Sequence, residues 1–139
     1  MFGSLDISSS ALIAQRTRID TVAGNIANAF STEDPASGKP VYRRRVSVFE
    51  PTNPAAGRNA PGVHVAEIIN DPSPSRYVYD PSHPHAIQQG QRVGYVEYPN
   101  VDLATEMINA MEAARAYEAN LAVMDITKSM ISASLRMMG

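Results

Sequence analysis

The side chains with the most chemical potential in this 139-residue chain lie in Asp80-Pro81-Ser82-His83-Pro84-His85, where two imidazoles and a carboxylate crowd together. They are donor types that zinc accepts, but a zinc site wants four ligands, and no fourth is evident. Pro81 and Pro84 also impose extended or turn geometry, so the segment reads as a turn that holds no metal. His64 stands between Val63 and Val65, and strand alternation places it opposite them, facing solvent. Arg43, Arg44 and Arg45 beside Tyr42 raise the question of phosphate binding. Alternation splits the three between two faces, and a formal charge of −2 gives nucleic acid no long-range attraction. A solvated or salt-bridged strand is the better reading.

Glu106, Glu112 and Glu118 recur every six residues, a rotation of about 240° per step on a helix, so they do not converge as a general acid and base. Glu112 and Glu118 instead flank Arg115 at helical spacing, which stabilises a helix by a few tenths of a kcal/mol. No nucleophile elbow, Walker A loop or dinucleotide fingerprint occurs. With no cysteine, a disulfide, a thiolate metal site and a Cys nucleophile are all excluded. The reading is a non-enzyme without cofactors.

The elements that carry these residues are mostly helical. Residues are 44% hydrophobic but only 6% aromatic, a palette of Ala, Val, Ile, Leu and Met suited to helix packing. The proline-free stretch from Leu5 to Ala29 places Leu5, Leu12, Ile19, Val22, Ile26 and Ala29 on one register, with Ser8 and Gln15 among them. Gly24 in its last third suggests close approach of another backbone or local weakness of the helix. From Leu103 the chain runs Met107, Ala110, Ala114, Tyr117, Leu121, Met124, Lys128, Ile131, Leu135 and Met138 in unbroken 4-3 spacing, the pattern of a coiled coil. Asp102 is placed to cap this helix, and Glu106 sits in its first turn.

Between the helices, the period changes to short runs at Val41 to Phe49, Val63 to Ile69, Tyr77 to Tyr79 and Gly94 to Tyr98. Seven of the ten prolines fall between Pro51 and Pro84, which argues for an irregular module of short strands and against a barrel. The expected organisation is an N-terminal helix within 1–30, a Pro-rich middle over 31–100 and a C-terminal helix within 101–139. The fold class is mainly α, with the two long helices paired as an antiparallel coiled coil and a small β-rich middle.

Pairing alone leaves apolar surface open. At ~1.5 Å per residue the helices are about 37 Å and about 54 Å long, so the second overhangs by roughly three turns. Ala119, Val123, Ile126, Met130, Ala133 and Met137 form a second apolar stripe, about 200° from the first. One stripe can be buried within the chain; the other asks for a neighbour. No apolar run reaches the ~18 residues of a membrane span, so no direct membrane insertion is expected. The N-terminal residues lack the basic start and apolar core of a cleaved secretory signal.

Several segments resemble one known family. Arg18-Ile-Asp-Thr-Val-Ala-Gly-Asn25-Ile-Ala-Asn28-Ala is similar to the Asn-Ile-Ala-Asn signature of rod, hook and related axial proteins of the bacterial flagellum. Asp71-Pro-Ser-Pro, Val78-Tyr-Asp-Pro81, His83-Pro84, Gly94-Tyr-Val-Glu-Tyr-Pro-Asn-Val-Asp102, Glu106-Met, Ala113-Ala-Arg115-Ala-Tyr117-Glu-Ala-Asn120 and Lys128-Ser-Met130 narrow the resemblance to flagellar basal-body rod proteins, specifically the proximal rod. Phe30-Ser31-Thr32 and the extra Gln91-Arg92-Val93 depart from that pattern, both in linkers. The resemblance implies a structural subunit, made in the cytoplasm, passed through the flagellar type III export apparatus without signal cleavage and assembled in the rod across the periplasm. Its partners would be copies of itself and other rod and basal-body proteins.

The expected assembly residues are Leu12, Ile19, Val22, Asn25, Ile26 and Asn28 on the first helix. On the second they are Met107, Tyr117, Leu121, Met124, Ile126, Met130, Ile131 and Leu135. Asn25 and Asn28 are expected to satisfy backbone groups where the helix ends, or to touch a neighbour. The competing reading is a soluble helical adaptor or export chaperone that binds partner helices.

Overall fold

The computed structural model describes residues 2–52 and 62–138. Helix α1 spans Phe2–Ala27 and helix α2 spans Leu103–Met138. Between them lie strands β1 (Arg45–Pro51), β2 (Val63–Asn70), β3 (Arg76–Tyr79) and β4 (Tyr95–Tyr98), with a short 3-10 turn at Pro35–Ser37. The strands form two separate antiparallel ribbons, β1 with β2 and β3 with β4. Pro54 and Pro61 lie outside the described residues; the other prolines of the middle sit at strand ends and turns, where a missing N–H interrupts no ladder.

α1 is the centre of the fold. It packs against α2 on one side and against both strands of the first ribbon on the other. Its buried side chains are small or polar for that reason: Ser8, Ala14, Thr21, Val22 and Asn25 let elements approach from two directions. Thr21 keeps its hydroxyl satisfied by donating to the Thr17 carbonyl at 2.8 Å. The second ribbon packs on no helix, and joins the rest through the loops at its ends.

Two local features differ from the sequence pattern. β1 begins at Arg45 and not at Val41; just before it, the Arg44 N–H is taken by the side-chain amide of Asn100. Gly24 receives no backbone: a Cβ there would lie 3.8 Å from the Tyr42 hydroxyl, an ordinary contact. Its absence of a side chain is therefore a cost to the helix without a steric return.

The face of α2 turned toward the chain is also not the most apolar one. Leu103, Glu106, Asn109, Ala110, Ala113, Ala116, Tyr117, Asn120, Met124, Thr127, Ile131 and Ser134 are its buried and half-buried positions. Five of these belong to the expected register, but the alternate members are each displaced by one residue. Glu106, Ala113, Asn120, Thr127 and Ser134 stand where Met107, Ala114, Leu121, Lys128 and Leu135 were expected, a turn of the face by about 50°. Met138, the register's last member, has a side chain outside what is described. The α2 helix, at 36 residues, outruns α1, at 26.

Two glycine substitutions should move stability in opposite directions. Gly24→Ala should raise it by up to ~1 kcal/mol through helix propensity alone. Gly94 has φ +82°, and a Cβ there would fall 2.8 Å from the Tyr79 ring, so Gly94→Ala should cost about 1–2 kcal/mol. Urea denaturation of both variants checks the pair; equal signs would contradict the packing described.

Candidate assembly interface

The geometry of the site starts at the end of α1, where Asn25 is fully buried and uses its whole amide. Its Nδ2 donates to the Arg45 carbonyl and to Glu106 Oε2, each at 2.8 Å. Its Oδ1 accepts from the Arg45 N–H at 2.8 Å and from the Tyr42 hydroxyl at 2.9 Å. All four hydrogen-bonding positions of the amide are filled. Asn25 thus pairs with the free backbone edge of β1 at Arg45 much as another strand would. Asn28, by contrast, stays local, donating to the Gly24 carbonyl at 2.8 Å.

Asn100, just before α2, treats the adjacent residue in the same way. Its Oδ1 accepts from the Arg44 N–H at 2.8 Å, and its Nδ2 donates to the carbonyls of Asp71 and Ser73 at 3.3 and 3.1 Å. The Arg44 side chain then reaches between the elements, donating to Glu106 Oε1 at 2.8 Å and to Asp71 Oδ2 at 3.2 Å. Glu106 is 0% exposed and also accepts from Asn109 at 3.3 Å. A carboxylate in that position is stable only because two neutral amides and a guanidinium surround it. Burial works against the charge of Arg44, but its bonds to Glu106 and Asp71 outweigh it and hold the guanidinium protonated more firmly than usual. Burial pushes the Tyr42 hydroxyl up. Asp71 is held below the usual carboxylate range, first by the Ser73 hydroxyl and N–H and then by Arg44.

This polar node fixes which residues of α2 face outward. Tyr117, Met124 and Ile131 lie half-buried on the inward face, and on α1 Leu12, Ile19, Ile26 and Asn28 are half-buried while Val22 and Asn25 are buried. Met107, Leu121, Ile126, Met130 and Leu135 are between 44% and 62% exposed. Met107, Leu121 and Leu135 recur at multiples of seven along one flank; Val123, Met130 and Met137 do so along the other. Ile108 and Met111 add to the exposed apolar surface near the start of the helix.

The residues first suspected of chemistry have other partners. The backbone N–H of His85 donates to His83 Nδ1 at 3.1 Å, and His85 Nδ1 shares a hydrogen bond with the Thr32 hydroxyl at 2.8 Å. Among the described residues no group of three or more His, Asp or Glu is placed to hold a metal ion. His64 does not face open solvent: it is half-buried, with a buried Nδ1. No described helix is long and apolar enough to cross a membrane.

Comparison with known proteins places this arrangement. Residues 5–34 match the family described as flagella basal body rod protein, and residues 92–137 match the C-terminal family of flagellar basal body rod FlgEFG proteins. The flagellar basal-body rod protein FlgC of Borreliella burgdorferi is 42% identical, over 97% of this chain and 95% of its own. The FlgC proteins of Escherichia coli O157:H7 and Bacillus subtilis are 43% and 37% identical, over 94% and 96% of this chain. Each is covered nearly end to end, at 92% and 95% of its own length. The chain belongs to the FlgC family of flagellar basal-body rod proteins. It is a structural subunit of the flagellar basal body, in a class that is not enzymatic, and it assembles with other rod and basal-body proteins. Asn25, Asp71, Asn100 and Glu106 fall in the segments that carry the family resemblance, whereas Tyr42 and Arg44 lie outside them. Sequence reading placed Glu106 only as a helix-dipole partner; nothing in the one-dimensional pattern shows that Arg44 and Asn25 reach it.

Glu106→Ala should cost about 3–5 kcal/mol, because it leaves the Arg44 Nε–H and one N–H of the Asn25 amide without their acceptor. Chemical denaturation measures this, and a loss under 1 kcal/mol would show that the node is dispensable. Since Asp71 has a folded-state pKa below its usual 3.8, its contribution is present above that value and lost as pH falls through the lower one. Asp71→Asn should therefore flatten the acid limb of the stability profile while leaving a stable fold at pH 7.

Proposed function

We propose that this chain builds the proximal rod by polymerising through its terminal helices, with both flanks of α2 buried against neighbouring subunits. The observation that carries the reading is the placement of large apolar side chains. Glu106, Asn120, Thr127 and Ser134 occupy the inward face, and Met107, Leu121, Met130 and Leu135 are turned to water. A helix that hides its polar residues and exposes its apolar ones is made to be covered from outside.

In this proposal α1 and α2 pair as an antiparallel coiled coil. Arg18 of α1 donates to Glu112 of α2 at 3.4 Å, and Asn25 donates to Glu106, so the contacts descend one helix as they ascend the other. The terminal segments 1–30 and 101–139 act as one helical unit, and the middle, 31–100, as a second that is held by the node. The subunit reaches the periplasm through the flagellar type III apparatus with its N-terminal segment uncleaved. Leu12, Ile19, Val22, Asn25, Ile26 and Asn28 act in assembly with Met107, Tyr117, Leu121, Met124, Ile126, Met130, Ile131 and Leu135, Val22 and Asn25 as buried support beneath the surface. Of these, the exposed members of α2 make contacts between subunits.

Leu121→Asp and Met130→Asp test the proposal, since both positions are exposed in the isolated chain and should change its stability by no more than about 0.5 kcal/mol. In cells each variant should be made at normal levels, be missing from purified hook–basal bodies and abolish swimming. Normal motility with normal incorporation would rule out these flanks as the assembly surface.

A further inference from the structure

The second ribbon leaves one strand edge open. The Asp80 N–H donates to the Gly94 carbonyl at 2.9 Å, which makes these two residues a hydrogen-bonded pair of the antiparallel ladder. Alternation then gives the inward bonds of β3 to Arg76 and Val78, and turns the N–H and C=O of Tyr77 and Tyr79 away from β4. No other strand or helix packs against β3, and no group among the described residues takes up those donors and acceptors. The β4 edge is partly closed by contrast, since the Tyr95 carbonyl accepts from the Ile87 N–H at 2.9 Å. Val78 and Tyr79 are 40% and 64% exposed, so water reaches both faces of the ribbon at the β3 edge.

The residues along this edge are complementary to themselves. Arg76-Tyr77-Val78-Tyr79-Asp80 reads as basic, aromatic, apolar, aromatic, acidic, so reversal about Val78 exchanges the charges and keeps the rest. A second copy laid antiparallel with Val78 opposite Val78 sets Tyr77 against Tyr79, the residues whose backbone groups are free, and Arg76 against Asp80 at each end. A slip of one residue loses the backbone bonds, and a slip of two loses the charge pairing. Arg76 is exposed, with its guanidinium over the Tyr98 ring at 5.4 Å. The Asp102 carboxylate lies nearby, yet neither Arg76 nor Asp80 has an ion-pair partner among the described residues. Asp80 accepts from the Ser82 N–H and hydroxyl through Oδ1.

We propose that β3 of one copy pairs with β3 of a second copy about a two-fold axis at Val78, joining the two ribbons into one sheet. Tyr77 and Tyr79 exchange backbone hydrogen bonds across the axis, the two Val78 side chains touch, and each Arg76 meets the other copy's Asp80. Opposite charges directly across an antiparallel pair stabilise it, and like charges there oppose it. The contact is isologous and closes at two copies. A rod whose subunits all point one way has no such axis between them, so the pair belongs to chains outside the rod and does not rest on the rod reading. Stable interfaces bury about 1,200 Å² or more, which a four-residue strand does not reach, so the pair is weak and forms at high concentration.

Charge reversal tests the pairing in full-length chains that all carry Leu121→Asp, so that association through α2 does not mask it. Sedimentation equilibrium should show the chain with an unaltered β3 forming dimers as concentration rises. Arg76→Asp places like charges at both ends of the pair, as does Asp80→Arg, and each alone should weaken dimerisation by about tenfold or more. Mixed in equal amounts, the two should pair with each other at the original strength, since every Arg then faces an Asp. Val78→Lys sets two ammonium groups on the axis and should abolish the dimer. Circular dichroism checks that each variant is folded; if Asp80→Arg is not, Arg76→Asp and Val78→Lys decide by themselves. An unaltered β3 that stays monomeric at every concentration, reversal variants that dimerise as before, a mixture no stronger than its components, or a Val78→Lys chain that still pairs each overturns the contact. Presence of the wild-type chain in hook–basal bodies bears on the rod reading alone.

Discussion

A buried carboxylate sets the terms for this fold. Glu106 has no access to water, so its position is tolerable only where Arg44 and Asn25 deliver donors at 2.8 Å from two different parts of the chain. Removing any one of the three strands the others, and that coupling ties the end of α1, the start of β1 and the first turn of α2 into one unit. Asn100 and Asp71 extend the connection to the second ribbon, which has no helix of its own to pack on. The second ribbon is therefore attached to the helices by polar geometry more than by apolar burial. That type of attachment fixes orientation sharply, because hydrogen bonds are directional where apolar contact is not.

The same carboxylate determines what the outside of α2 looks like. Bringing Glu106 inward turns the helix by about 50° from the face that its apolar residues alone would choose. Ala113, fully buried one heptad further on, gives α2 room to approach closely. The large residues Met107, Leu121 and Leu135 are carried out of the inward face as a consequence. A chain optimised for a stable monomer would place Leu where Asn120 sits. Here the local preference for apolar burial gives way at Glu106, Asn120 and Ser134, and such conflicts tend to mark sites with a function outside the single chain.

Much of this was legible beforehand, and the failures have identifiable causes. Two long helices and short strands near residues 45, 63, 77 and 95 follow from a change of period that single-sequence patterns register well. The rotation of α2 was not legible, because a heptad scan weighs apolar residues and gives no credit to a Glu that will find an Arg 62 positions away in sequence. The Arg43 to Arg45 run reads as a solvated or salt-bridged strand, and Arg44 is salt-bridged, but its partners Glu106 and Asp71 are too distant in sequence for the pattern to name. His64 was assigned to solvent by alternation, but β2 begins against α1, where the Val63 N–H donates to the Ser10 hydroxyl at 3.1 Å, and both faces of the strand are partly covered there. Gly24 looked like a site of close backbone approach, and the neighbour proved to be a tyrosine hydroxyl.

Satisfaction of polar groups is unequal along the long axis of the molecule. At the node end, Asn25, Arg44, Asn100 and Glu106 leave little unpaired. Further along α1, Gln15 Oε1 and His64 Nδ1 are buried and accept no hydrogen bond among the described residues. Beyond the reach of α1, the last turns of α2 return their hydroxyls to their own backbone: Ser129 to the Asp125 carbonyl and Ser132 to the Ser129 carbonyl. Local stability should fall in the same order, since free energies of opening follow buried contacts and satisfied bonds. A subunit firm at one end and unfinished at the other is thus asymmetric along its length, with the polar node holding one end and little but the helix's own backbone holding the other.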